Sequence, residues 1–145
     1  MENQETTRTH RPNNVILLKC TEDSIFRMWI EFLTPFHNLA KKEREVAARI
    51  LLQYFKLKEQ CSDEAVLKEL LLSTASRQDI RASLGDNGKE MSTAHFQMVL
   101  KALKEANFLV DGEINKRFIP HIQPDRTTFE LRFVFDWSSS TNREK

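Results

Sequence analysis

Apolar residues recur along this chain at two periods, a helical one through its middle and an alternating one towards its C-terminal end. The clearest helical stripe is Phe96, Val99, Leu100 and Leu103, at i, i+3, i+4 and i+7. Ser92 stands just ahead of it, where a hydroxyl accepts from the first free backbone N–H groups. After Asn107 the pattern changes abruptly. Phe108-Leu109-Val110, then Asp111-Gly112, then Glu113-Ile114 predicts a short strand, a tight turn and a return strand.

The rest of the chain arranges itself around that helix and hairpin. Val15-Ile16-Leu17-Leu18 is a compact aliphatic run that predicts a buried strand. Thr21 can cap a helix over 22–33 with Ile25, Phe26, Trp29, Ile30 and Leu33 on its apolar face, ended by Thr34-Pro35. A long helix follows over 41–58; Val46, Ala47, Ile50, Leu51, Tyr54, Phe55 and Leu57 form its buried face, with Lys42, Glu45, Arg49, Gln53 and Lys56 outside. Ser62-Asp63-Glu64 reads as a cap with acids in the first turn, opening a helix to 72 with Val66, Leu67, Leu70 and Leu71 inward. Ser76-Arg77-Gln78-Asp79 resembles a capping box, and its helix carries Ile80 and Leu84 and stops at Gly85, read as a left-handed C′ residue. Asp86-Asn87-Gly88 is loop.

Beyond the hairpin turn, the return strand runs towards Pro120, which confines it to an edge or takes it out of the sheet. Pro124-Asp125-Arg126 marks another turn. Residues 127–137 then alternate, with Phe129, Leu131, Phe133 and Phe135 on one face and Thr128, Glu130, Arg132 and Val134 on the other, which predicts a long strand with one buried face. Together these elements predict an α+β winged helix-turn-helix-like domain over 15–137. It has a helical core, a C-terminal β-hairpin and an added N-terminal strand. A flexible polar arm over 1–14 and a polar tail over 138–145 flank it.

At 145 residues one domain is expected, long enough to bury a core without staples. Formal charge is +1, from 22 basic and 21 acidic residues, so no global basic field draws in nucleic acid. Cys20 and Cys61 lack metal-type or redox-type spacing and read as reduced thiols of an intracellular protein. No apolar run approaches the ~20 residues that span a bilayer, and the polar start lacks the apolar core of a secretion signal.

The catalytic inventory is poor, and a non-enzymatic protein without cofactor or metal is expected. Glycines occur only at positions 85, 88 and 112, which excludes phosphate-cradling loops and nucleophile elbows. His10, His37, His95 and His121 are scattered without a metal-ligand partner at i+3 or i+4. The acid pairs Glu43/Glu45 and Asp63/Glu64 are most simply solvated charge or dipole partners.

The helix opened by Ser92 admits two readings. As a DNA reader it would bring Ser92, Thr93, His95 and Gln97 to base edges, where Gln pairs with adenine and Ser or Thr serves base or phosphate. Lys101 and Lys104 would lie further along, and Lys116, Arg117 and Arg126 would charge the hairpin side. As plain structure, Ser92 is a cap, Phe96 is core and the lysines form a solvated face beside Glu105, with no arginine on the helix to read guanine.

Five strings, taken in order, resemble one another's counterparts in a known group: Phe32-Leu33-Thr34-Pro35-Phe36-His37, Lys42-Glu43-Arg44-Glu45-Val46-Ala47, Ser92-Thr93-Ala94-His95-Phe96-Gln97, Ile114-Asn115-Lys116-Arg117-Phe118-Ile119-Pro120 and Phe129-Glu130-Leu131-Arg132-Phe133. That group is the small winged-helix-like proteins of crAss-like tailed bacteriophages of gut bacteria, and the likeness spans about 15–137. The resemblance implies a late, virion-associated protein assembled in the host cytoplasm and built into the neck or tail. It implies a homo-oligomer, with a dodecameric ring as one form, docking to portal and tail proteins and to no membrane. Polar arms could then order across neighbouring subunits, and the 127–137 strand could pair with one. The alternative expectation is a sequence-specific DNA-binding regulator.

Overall fold

The computed structural model describes residues 15–85, 88–122 and 128–138. The expected arm over 1–14, the Asp86-Asn87 part of the loop, the turn at Pro124-Asp125-Arg126 and the tail from 139 lie outside the described residues. The elements are α1 (Ile25–Phe32), α2 (Thr34–His37), α3 (Lys41–Gln60), α4 (Glu64–Leu71), α5 (Thr74–Ser83), α6 (Thr93–Glu105), β1 (Leu109–Val110), β2 (Glu113–Ile114) and a single 3-10 turn at Lys116–Phe118. The class is α+β: mostly helix, with one small antiparallel sheet pairing Leu109 with Ile114 and Val110 with Glu113.

Helix α3 is the axis of the molecule. Val46, Ala47, Ile50 and Leu51 are fully enclosed, and α1, α4, α5 and α6 all pack against this one helix. The alanines Ala47 and Ala48 let neighbouring helices approach closely, while the branched side chains interlock with Ile30, Leu71, Leu100 and Leu103 in one core cluster. Aromatic rings extend that core on one side, with Phe26 stacked on Phe55 at 5.1 Å and Phe108 tilted against Phe118 at 5.6 Å.

Local chemistry sets the helix ends. At α1, Thr21 and Ser24 cap each other: the Ser24 amide donates to Thr21 Oγ1 at 3.1 Å and the Thr21 amide donates to Ser24 Oγ at 2.8 Å. That reciprocal pair delays the helix to Ile25, three residues later than the apolar pattern suggests. The chain breaks at Leu33 and resumes as α2, where Pro35 occupies a first-turn position that needs no N–H. Left-handed Asn38 (φ 54°) ends it. The Glu43 carboxylate accepts from the Ala40 amide at 2.9 Å to open α3, and Arg44 ties that end to α1 through Glu31 at 2.9 Å and to the Leu39 carbonyl at 2.7 Å.

His37 is buried between α1 and α3 and its two ring nitrogens are both used. Nε2 donates to the Ile30 carbonyl at 2.8 Å and Nδ1 accepts from the Leu39 amide at 2.9 Å, which assigns the ring proton to Nε2. On the far side, the Trp29 indole donates to the Phe118 carbonyl at 2.8 Å, joining the first helix to the segment after the hairpin.

Several expectations need correction. Residues 15–18 form no strand and are exposed, Ile16 to 84%. The long strand over 127–137 is also absent from its described part: only Phe129 reaches the core, edge-on to Trp29 at 5.7 Å, while Phe135 is 83% exposed. Alternation encodes a strand, but a strand needs a neighbour for its backbone groups, and the only described sheet has two residues per strand. The return strand ends at Ile114 because Asn115 accepts from the Arg117 amide at 3.3 Å and starts the 3-10 turn.

Smaller shifts have equally local causes. Asp63 rather than Ser62 caps α4, accepting from the Ala65 amide at 2.9 Å. Only Leu67 and Leu71 of α4 are buried; Val66 and Leu70 face outward because this short helix touches the core with a single stripe. Ser73 caps α5, and Ser76 is buried inside it, donating to the Leu70 carbonyl at 2.6 Å and accepting from Gln53 at 3.3 Å. Gly85 is not left-handed. Its hydrogen faces the Lys89 backbone, where a Cβ would lie 1.6 Å from the carbonyl oxygen.

Two substitutions test this packing by chemical denaturation. Gly85→Ala is expected to cost about 1–3 kcal/mol, because a backbone carbonyl cannot yield to the added methyl. His37→Leu is expected to cost about 1–3 kcal/mol by leaving the Leu39 amide without an acceptor. Unchanged stability in either variant contradicts the corresponding contact.

Candidate functional site

Helix α6 is delivered to the surface of α3 by a fastened connection. Arg81 on α5 donates through Nε to the Met91 carbonyl at 2.9 Å and pairs with Glu90 at 3.1 Å, while the Met91 amide donates back to the Arg81 carbonyl at 3.0 Å. Ser92 then caps α6 as expected, accepting from the His95 amide at 3.1 Å. Phe96, Val99, Leu100 and Leu103 are buried, so the predicted stripe is the core face.

The far end of α6 closes in a Schellman motif. The Phe108 amide donates to the Leu103 carbonyl at 2.9 Å and the Asn107 amide to Lys104 at 3.1 Å, with Asn107 left-handed at φ 61°. Directly after the two residues of β1, Asp111 (φ 54°) and Gly112 (φ 77°) form the tight turn of the hairpin, whose twist requires both to be left-handed. Asn115 ties the hairpin root back, its Nδ2 donating to the Asn107 carbonyl at 2.9 Å.

Of the nine residues expected of a DNA reader, the eight that are described, all but Arg126, are exposed. Helical geometry gathers Thr93, Gln97, Lys101 and Lys104 into one exposed stripe along the Leu100 side of the buried face. Ser92 is spent on its capping bond, and the 100° step per residue turns His95 away from that stripe. Lys116 and Arg117 stand on the 3-10 turn rather than on a strand, and Lys116 borders a different surface. Arg126 lies outside the described residues.

That different surface is a cleft of about 710 Å³, which the sequence pattern did not reveal. The end of α3 (Tyr54, Phe55, Lys58), α4 (Leu67, Lys68, Leu71), the hairpin and residues 119–122 line it. Tyr54 and Phe55, expected to be core, are only half-buried here, because α3 outruns the helices that cover it. The signal was present in the length of the apolar face, which continues to Leu57 while its partners are short. Lys58 Nζ lies 5.7 Å from the Tyr54 ring centre and 5.9 Å from that of Phe55. Lys68 approaches Glu113 across the cleft at 3.9 Å, an exposed and weak pair. Burial, aided by the negative charges of Glu64 and Glu113, pushes the Tyr54 hydroxyl above its ordinary pKa of 10.0.

The remaining surface feature is apolar. Val15, Ile16, Leu17 and Leu18 at one end of the described chain, and Leu131, Phe133, Val134 and Phe135 at the other, are all exposed and carry no secondary structure. At the end of the second segment Asp136 accepts from the Ser138 hydroxyl at 2.6 Å and from its amide at 3.0 Å, which holds the carboxyl below its ordinary value.

Among the described residues no group of three or more His, Cys, Asp or Glu side chains is placed to hold a metal ion, and no helix is long and apolar enough to cross a membrane. Cys20 and Cys61 are free thiols. No protein-family model, no curated protein and no solved structure matches the chain.

Tyr54 gives this surface an alkaline signature. Its folded-state pKa lies above the unfolded one, so the unfolded state releases the phenolic proton first and stability falls as pH rises beyond about 10. Tyr54→Phe is expected to flatten that part of the decline in urea titrations at successive alkaline pH values. An identical slope in the variant contradicts the assignment.

Proposed function

We propose that this chain is a non-enzymatic structural component of a tailed-phage virion, a neck or tail ring or connector protein that works by self-association and by docking to portal or tail proteins. The observation that carries the reading is the concentration of exposed large apolar side chains on two segments without secondary structure, 15–18 and 131–135, at either end of a well-packed helical core. A monomer gains nothing by holding such segments in water, whereas an assembly covers them with its neighbours. The near-balanced charge of +1 suits close packing of many copies, since little like-charge repulsion opposes it. The resemblance to crAss-like phage proteins supplies the virion setting, assembled in the host cytoplasm, with a dodecameric ring as one form of the homo-oligomer.

Within this proposal the α5–α6 pair and the hairpin are a winged-helix-like unit used as an interaction block. The order of helix, fastened connection, capped helix and tight hairpin supports that assignment. The same order supports a second reading, a sequence-specific DNA-binding regulator that presents Thr93, Gln97, Lys101 and Lys104 to the major groove.

Light scattering on the purified protein, with and without random-sequence duplex DNA, separates the two. A large closed oligomer indifferent to DNA and to salt is expected. A monomer or dimer that binds DNA at low salt, steeply weakened by added salt and by Gln97→Ala or Lys101→Ala, would favour the regulator instead.

A further inference from the structure

We propose that the cleft between α3, α4 and the β-hairpin receives the segment beyond Phe129, residues 130–137, of a second copy of this chain, an inference that rests on the self-association reading and names its contact. Three observations lead there. The segment alternates as a strand does, Leu131, Phe133 and Phe135 against Glu130, Arg132, Val134 and Asp136, yet it pairs with no described strand of its own chain. The β-hairpin, the only sheet among the described residues, has two strands and borders the cleft through Val110, Glu113 and Ile114. A two-stranded hairpin is a marginal unit that gains from a third strand.

The second observation is shape and polarity. The cleft floor is apolar, with Phe55, Leu67, Leu71 and Ile119, and its volume of about 710 Å³ is that of a site for a few large side chains. Its rim carries both signs of charge, with Lys58 and Lys68 beside Glu64 and Glu113. The charges of the segment, Glu130, Arg132 and Asp136, alternate with its apolar side chains, so they point to solvent when the apolar edge faces inward and none is buried unpaired.

The third observation excludes the chain's own segment as occupant in the described state. Phe129 roots the segment on Trp29 of α1, and no residue of 128–137 lines the cleft. Donor and acceptor are different surfaces of one chain, so each copy offers one of each. Repeated head-to-tail, such a contact generates a ring when its rotation closes.

The test uses the full chain and three variants. Phe133 (49% exposed) and Phe135 are on the surface, so Phe133→Asp with Phe135→Asp is expected to keep the fold and its melting temperature while lowering the mass seen by light scattering to that of a monomer. Val110 is also exposed, and Val110→Arg is expected to do the same from the acceptor side. Mixing the donor variant with the acceptor variant leaves one working junction per pair, so a one-to-one complex and nothing larger is expected. A labelled synthetic peptide of residues 130–137 is expected to bind the donor variant saturably, at least tenfold more weakly once Val110→Arg is added. Undiminished mass in the donor variant overturns this contact while leaving self-association standing. Failure of the peptide to bind overturns the contact whatever the mass of the wild type. A wild type that stays monomeric yet binds the peptide keeps the cleft as acceptor and removes self-association in solution.

Discussion

The structure depends on the burial of one helix face. Among the described residues every other helix of appreciable length leans on α3, and none of them has a second large partner of its own. Short helices such as α4 and α5, of 8 and 10 residues, are below the length at which helices hold in water unaided. They exist because α3 offers them apolar surface, and they are capped by Asp63 and Ser73 so that little else is asked of them. The arrangement is a spoke pattern in which the hub is wholly committed and the rims of the spokes are free. That is why Val66, Leu70 and Met98 can face outward on helices whose other sides are dry.

Polar groups inside the core specify rather than merely tolerate this arrangement. His37 and Ser76 are buried and each makes more than one hydrogen bond across elements. Arg44 and Arg81 do similar service nearer the surface, each joining a backbone carbonyl to a carboxylate on another segment. These contacts hold loops in place, where apolar packing alone would leave the chain free to slide. Arg81 in particular sets how α6 leaves the connection, and therefore where the hairpin emerges.

Legibility in the sequence followed from how locally each feature is determined. The cap at Ser92, the stripe of α6 and the Asp111-Gly112 turn were all readable, because each is fixed within a few residues by hydrogen bonding or by backbone handedness. The exposed stripe of Thr93, Gln97, Lys101 and Lys104 follows from the same helix and was readable too. What could not be read needed tertiary knowledge. The alternating segment at the C-terminal end looks identical whether its partner lies in the same chain or elsewhere. The cleft arises from a mismatch in length between α3 and its neighbours, which no local window contains. Gly85 has the local look of a left-handed stop, but the demand on it comes from the Lys89 backbone lying across it.

The bond from Trp29 to the Phe118 carbonyl bears on the order in which the chain folds. Its partners are 89 residues apart, whereas the caps, turns and helices are local. A chain made from its N-terminus presents α1 early, but the group that receives the indole arrives only after the hairpin has been synthesised. Closing so wide a loop adds little free-energy cost beyond that of a shorter one, because the entropy grows only with the logarithm of length. The delay is one of sequence in time. Helix α1 can rest on α3 through Phe26 and Ile30 before that group is made, and the Trp29 edge can close only once Phe118 and Phe129 have been added to the chain. The residues beyond Phe129 are therefore set against this core only after the hairpin has been made and the Trp29 contacts have closed.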